Sequence, residues 1–201
     1  GASVVALTAA FRHLCAVERN YNLILLLSCE EEVSGRNGIE AALPLLPKID
    51  VAIVGEPTGM HPAIAEKGLM VLDGEIKGVS GHAARNEGVN AIYRAMEVVN
   101  TLRNLTFDKV SDMLGPIKIT VSQIEAGTQH NVVPDLCKIV VDVRSTDAYS
   151  NEDTLAIIRN SVPYEWCTLT PRSTRLNPSG ISMEHPIVQR LNTLERKPFG
   201  S

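Results

Sequence analysis

Three consecutive carboxylates, Glu30-Glu31-Glu32, follow directly on the apolar run Leu23-Ile24-Leu25-Leu26-Leu27. Adjacent carboxylates repel one another, a cost that a bound cation or a shared proton relieves. Such a pair suits metal-assisted hydrolysis, in which one acid holds a divalent cation and the other takes a proton from its bound water. A second acid, Glu56, follows the apolar run Val51-Ala52-Ile53-Val54, inside Gly55-Glu56-Pro57-Thr58. Taken alone, an acidic triplet is more often a solvated turn. Its recurrence at the ends of two expected strands favours a site, because open α/β sheets collect ligands at the carboxyl edge of their strands.

Other residues carry weaker signals. His82 lies in Gly78-Val79-Ser80-Gly81-His82-Ala83-Ala84-Arg85. A glycine-rich turn there could aim the imidazole outward, and a His in the same place also serves as a helix cap or a satisfied core residue. Asn131 sits in the loop Gly127-Thr128-Gln129-His130-Asn131-Val132-Val133-Pro134-Asp135, where an Asn also simply satisfies turn backbone. Arg144 ends an apolar stretch and fits a structural ion pair. His13, His61 and His185 are expected to be structural or solvated. No His is followed two places later by Asp, and no P-loop, GxGxxG or GxSxG pattern occurs.

The elements that position these residues change character along the chain. A helix over residues 4–17, with Ser3 as N-cap and a stripe of Val4, Leu7, Phe11, Leu14 and Cys15, precedes a buried strand at 22–28. A short helix from Gly35 to Leu43 stops at Pro44 and Pro47, and a strand at 51–54 follows. This alternation predicts a parallel sheet with helical cover. From Lys67-Gly68 the pattern differs. Residues 69–77 alternate, with Met70, Leu72 and Ile76 on one face and Asp73, Glu75 and Lys77 on the other. A helix at 88–104 (inner face Ile92, Ala95, Met96, Val99, Leu102), strands at 116–124 and 136–144, a helix at 151–160 and a strand at 164–170 complete a βαββαβ order. Pro171-Arg172-Ser173 reads as a linker and Pro186 as a helix start. The expected organisation is an α/β domain of residues 1–66 and 173–201, interrupted by an α+β domain of residues 67–172.

Composition narrows the classes. A net charge of -4 and a pI near 5.8 argue against nucleic acid or an anionic membrane as the main partner. No apolar run approaches a spanning helix. Cys15, Cys29, Cys137 and Cys167 are far apart, as reduced thiols of a cytoplasmic protein would be.

The ordered motifs Glu30-Glu31-Glu32-Val33-Ser34-Gly35, Val54-Gly55-Glu56-Pro57-Thr58, Glu66-Lys67-Gly68, Gly78-Val79-Ser80-Gly81-His82-Ala83-Ala84, and Gly127 to Asp135 with Asp142-Val143-Arg144 resemble those of the zinc aminoacylase and carboxypeptidase superfamily. Its members include acetylornithine deacetylase, succinyl-diaminopimelate desuccinylase, tripeptidase-type enzymes and glutamate carboxypeptidases, and the Gly-Glu-Pro-Thr form is similar to the first two. The resemblance implies a metal-dependent amidohydrolase that removes an acetyl or succinyl group from an amino acid such as ornithine, with two zinc ions (or cobalt or manganese) in the complete enzyme. It implies Glu31 as general base, Glu32 as ligand of one zinc and Glu56 as ligand of the other. It implies His82, supplied by the partner subunit in dimeric relatives, as the donor that polarises the scissile carbonyl and binds substrate, and Asn131 as a substrate-binding residue. Glu30 stands where the family has Asp.

The family's upstream HxD motif, bridging Asp and late His have no counterpart here. The first and last residues resemble positions inside the family sequence. The resemblance therefore implies an internal stretch that, alone, holds zinc weakly or not at all and is inactive. The same scaffold serves di- and tripeptidases and carboxypeptidases, and a non-enzymatic role as a dimerisation module is a further expectation. A homodimer through the inserted domain is implied by the way its sheet edge pairs in relatives.

Overall fold

The computed structural model describes residues 1–32, 35–59, 61–193 and 199–200. Val33 and Ser34 of the acidic motif lie outside the described residues. The chain divides into two compact units, Gly1–Met60 and His61–Ser201.

In the first unit, α1 (Ala2–Cys15) begins two residues earlier than expected. Gly1, with no side chain to offer, is the N-cap, and Ser3 lies inside the helix. Leu7, Phe11 and Leu14 are half-buried, and no residue of α1 is fully buried. The short helix α2 (Ile39–Ala42) passes into a 3-10 turn at Leu43–Leu45; Pro44, inside that turn, has no N–H to continue the α-helical ladder, which stops there. The strands expected at 22–28 and 51–54 do not form. Among the described residues neither run has a ladder partner, and Ile53 and Val54 are 71% and 78% exposed. A parallel strand is stable only with hydrogen-bonded neighbours and with cover on its faces. Apolar composition marks these runs for burial, and nothing in the described unit supplies the burial.

The second unit carries the expected sandwich. Strands β1 (Ala63–Glu66), β2 (Gly68–Lys77) and β3 (Gly81–His82) lead into helix α3 (Ala91–Asn104). Strands β4 (Lys118–Ala126), β5 (Val132–Val133) and β6 (Leu136–Ser145), helix α4 (Asn151–Ser161) and strand β7 (Cys167–Pro171) follow. The sheet order is β4-β6-β2-β7, antiparallel throughout, with a bulge in β4 between Val121 and Gln123. With one helix after its first strand and one after its third, this is the split βαβ arrangement. The alternation of β2 is as its sequence demands: Met70, Leu72 and Ile76 are buried against Cys137, Ile139, Val141 and Val143 of β6 and against both helices. Each fully buried Leu, Ile or Val contributes about 1.5–3 kcal/mol relative to exposure.

Asn90 starts α3, its Oδ1 accepting from the Ile92 amide at 2.9 Å. The buried stripe is Ala91, Ala95, Val98 and Leu102, so the helix is rotated from the expected face. Met96, expected inside, is 62% exposed, because it lies off the stripe of Ala91, Ala95, Val98 and Leu102 that faces the core. The expected linker at Pro171–Ser173 is held. The Arg172 amide donates to the Val71 carbonyl at 2.9 Å, and its guanidinium pairs with Asp73 at 2.9 and 2.7 Å. Arg172 accordingly holds the Asp73 carboxyl below the usual carboxylate range. Beyond it, β8 (Ser179–Gly180) pairs antiparallel and β9 (Phe199–Gly200) parallel with β1. Between them α5 (Pro186–Asn192) is capped by His185, whose Nδ1 accepts from the Ile187 amide at 3.3 Å.

Candidate functional site

The acidic turn is built around Glu30, the non-glycine residue with a left-handed backbone (φ 60°). That conformation costs an ordinary L-residue about 1–2 kcal/mol. It is offset by three hydrogen bonds. The Glu30 carbonyl accepts from the Gly35 amide at 3.0 Å, and its carboxylate accepts from the Asn37 amide at 3.0 Å and from Asn37 Nδ2 at 3.1 Å. A Cβ at Gly35 would overlap the Glu30 carboxylate, so a side chain there would displace that carboxylate from Asn37. Glu30 therefore braces the turn, while Glu31 and Glu32 are exposed and carry no ion pair among the described residues. Asn37 was not singled out from sequence; the Asn37-Gly38 dipeptide is the turn signal that points to it.

Glu56 is also exposed. Its neighbour Gly55 lies against α1, where an added Cβ would fall 2.8 Å from Leu7 Cδ1 and 2.9 Å from Ser3 Cβ. The Thr58 amide donates to the Glu56 carbonyl at 2.9 Å, which turns the chain directly after the acid.

His82 and Asn131 come together within the second unit. β3 pairs with β5 in register Gly81↔Val133 and His82↔Val132, and the Ala83 amide donates to the Asn131 carbonyl at 3.0 Å. The turn that carries His82 is closed by reciprocal Val79–Val89 hydrogen bonds of 2.8 Å. It is tied to the other loop by Gly78 N to Asp135 O (2.7 Å) and Ala91 N to Pro134 O (2.9 Å). His82 Nδ1 accepts from the Ala84 amide at 3.1 Å. A nitrogen that accepts is unprotonated in the neutral ring, so the proton sits on Nε2 and that atom is a donor. The ring is exposed, and the Asn131 side chain carries no hydrogen bond among the described residues. Arg144 grips Asp142 with Nε at 2.8 Å and an NH2 nitrogen at 3.1 Å.

Among the described residues no three His, Cys, Asp or Glu side chains gather as a metal-holding group. A catalytic zinc takes three protein ligands. Glu32 and Glu56, the two implied ligands, fall short of that number among the described residues.

The four-stranded antiparallel sheet with two helices on one face and an exposed His82 in a glycine-rich turn is an α+β sandwich of the split βαβ class. The family model described as "Peptidase dimerisation domain" matches residues 64–165, half of the chain. The chain belongs to this M20 peptidase dimerisation-domain family. It is 30% identical over 148 residues to the succinyl-diaminopimelate desuccinylase of Dinoroseobacter shibae, covering 68% of this chain and 39% of that relative. It is 31% identical over 129 residues to the acetylornithine deacetylase of Myxococcus xanthus, covering 61% and 34%. Among solved structures it is similar to a tripeptidase from Staphylococcus aureus (TM-score 0.53, 17% identity, covering 69% of this chain and 39% of that one). It is also similar to the aminopeptidase PepT from Bacillus cereus (TM-score 0.54, 16% identity, covering 69% and 39%). The chain thus spans well under half the length of the relatives it matches. Among the described residues no helix is long and apolar enough to cross a membrane.

Proposed function

We propose that this chain is part of a metal-dependent amidohydrolase that removes an acetyl or succinyl group from the amino group of an amino acid. The observation that carries the reading is the corner where an Nε2–H donor on His82 stands beside Asn131, in a chain whose named relatives include a desuccinylase and a deacetylase. Each unit supplies its own part of this chemistry: in the first, Glu31 takes a proton from the attacking water and returns it to the leaving amine; in the second, His82 Nε2–H is the donor for an oxyanion, in dimeric relatives that of the partner subunit, and Asn131 a substrate-binding residue. Glu32 and Glu56 are the metal ligands this chain contributes, to zinc in the first instance, and the remaining ligands come from elsewhere in the complete enzyme. Glu30, braced by Asn37, holds the turn. Four free thiols fit a reducing, cytoplasmic setting.

We further assign the residues 67–172 as the inserted domain and β4 as the edge through which two copies pair. The alternative edge, β7, is covered: Arg159 donates from Nε and an NH2 nitrogen to the Leu169 carbonyl at 3.1 and 2.8 Å, and Pro171 has no N–H to give. β4 is nine residues long, and Ile124 on it is exposed, as are Tyr93 and Met96 of α3, which packs on β4.

The test is an assay of a longer polypeptide carrying this chain against N-acetylornithine, N-succinyl amino acids and dipeptides. Release of acetate or succinate is expected. Turnover of dipeptides alone would replace the reading with a peptidase. The 201-residue chain alone is expected to bind zinc weakly in calorimetric titration and to hydrolyse none of these substrates.

A further inference from the structure

Asn151 is the first residue of α4 and is fully buried. Burying an amide is costly unless its donors and acceptor are satisfied. An Asn at a helix start is ordinarily explained as a cap, but Ser150 already holds that role, its Oγ accepting from the Asp153 amide at 3.0 Å. The Asn151 side chain instead points into a joint. Its Nδ2 donates to the carbonyls of Thr174 at 2.8 Å and Leu176 at 3.0 Å, and its Oδ1 accepts from the fully buried Ser145 hydroxyl at 2.5 Å.

The joint lies where the chain crosses twice between the β8-β1-β9 sheet and the four-stranded sheet. One crossing runs from β1 through Lys67 into β2. The other leaves β7 and returns to β8. They lie side by side: the Leu69 amide donates to the Leu176 carbonyl at 3.0 Å, so that one carbonyl receives both Leu69 and Asn151. Gly68 admits no side chain, since a Cβ there would meet the Ser145 hydroxyl, the Leu176 carbonyl oxygen (2.7 Å) and the Pro178 ring (2.8 Å).

We propose that Asn151 is a buried latch that fastens the returning crossing onto the outgoing one, holding β1 and β8 at a fixed angle to the four-stranded sheet. The latch works by donation. Replacing the amide by an isosteric carboxylate removes both donors and sets charge against two carbonyl oxygens, whereas a protonated carboxyl regains a single O–H. This proposal stands apart from the proposed reaction.

The test compares wild type with Asn151→Asp and Gly68→Ala by residue-resolved amide hydrogen exchange and trypsin digestion. Gly68→Ala leaves the Asn151 side chain in place but presses on two of its partners, the Ser145 hydroxyl and the Leu176 carbonyl. In both variants the Leu69 amide is expected to exchange at least about tenfold faster than in wild type at pH 8, with cleavage after Arg172 or Arg175 accelerated. The amides of Ile76 and Val141 stay as protected as in wild type. For Asn151→Asp the ratio to wild type falls back as the pH is lowered to 5, and for Gly68→Ala it does not. An unchanged Leu69 rate in both variants overturns the latch. So does a loss of protection at Ile76 and Val141 in step with Leu69 in both, which would make Asn151 an undistinguished part of the core. If Asn151→Asp fails to fold, Gly68→Ala decides by the same criteria.

Discussion

Gly81 is the residue on which the position of His82 depends most directly. In Gly81→Ala the new Cβ would lie 2.7 Å from the carbonyl carbon and oxygen of Glu87 and 2.9 Å from the Gly88 nitrogen. All three are backbone atoms, so no rotamer change relieves the contact. Reaching an ordinary contact requires the turn to move by about 0.7 Å. Gly88 opposes that movement from a left-handed conformation (φ 81°) that is closed by the Val79–Val89 pair. Overpacking of this kind costs about 1–3 kcal/mol. For a unit of this size that is a fall in Tm of about 3–10 °C. Gly180→Ala is the control, because its Cβ would meet nothing closer than 3.5 Å, and its Tm is expected to stay within about 2 °C of wild type. Thermal unfolding by circular dichroism reads the stability. Nitrogen chemical shifts of the His82 ring read whether Nδ1 still accepts from Ala84. Loss of that bond should raise the share of the Nδ1–H tautomer, removing the outward donor. A Gly81→Ala protein as stable as Gly180→Ala, with the His82 tautomer unchanged, would refute the reasoning.

Two further outcomes follow from burial and charge. Alkylation by iodoacetamide is expected to modify the exposed Cys15 and Cys29 first and Cys167 more slowly, while Cys137 reacts at the rate of unfolding; burial raises the pKa of the Cys137 and Cys167 thiols, which leaves little thiolate, and mass spectrometry of timed samples gives the order. Arg172 lowers the Asp73 pKa in the folded chain, so the stabilisation from this pair is present above the carboxyl's unfolded pKa and is lost as pH falls through its folded value; the Tm gap between wild type and Asp73→Asn should close on acidification, and a gap constant down to pH 2 would contradict the pairing.

Much of this protein was legible in its sequence. The alternation of Met70, Leu72 and Ile76 fixes which face of β2 is buried, because side chains on a strand alternate with a period of two. The order of strand-like and helix-like stretches from Lys67 to Pro171 admits few topologies, and the βαββαβ sandwich is the one formed. The glycine-rich turn at His82 and the loop at Asn131 stand out as motifs. These features are local: each is written in neighbouring residues.

What the tertiary structure alone decided is long-range. Leu23 to Leu27 and Val51 to Val54 have the composition of buried strands, yet a strand exists only through its partners, and none of the described residues pairs with them. Which face of α3 is buried was set by its packing on the sheet, which takes Ala91, Ala95, Val98 and Leu102 and leaves Met96 outside. Sequence spacing says nothing of the β3–β5 ladder that brings Asn131 to His82, nor of the Ala84 amide that sets the imidazole's proton on Nε2. Asn151 looks like an ordinary helix-start residue until the chain returns past it and presents two carbonyls to its amide. The residues with chemical potential were named by type and spacing; their company was set by contacts between segments far apart in the chain, which only the folded backbone supplies.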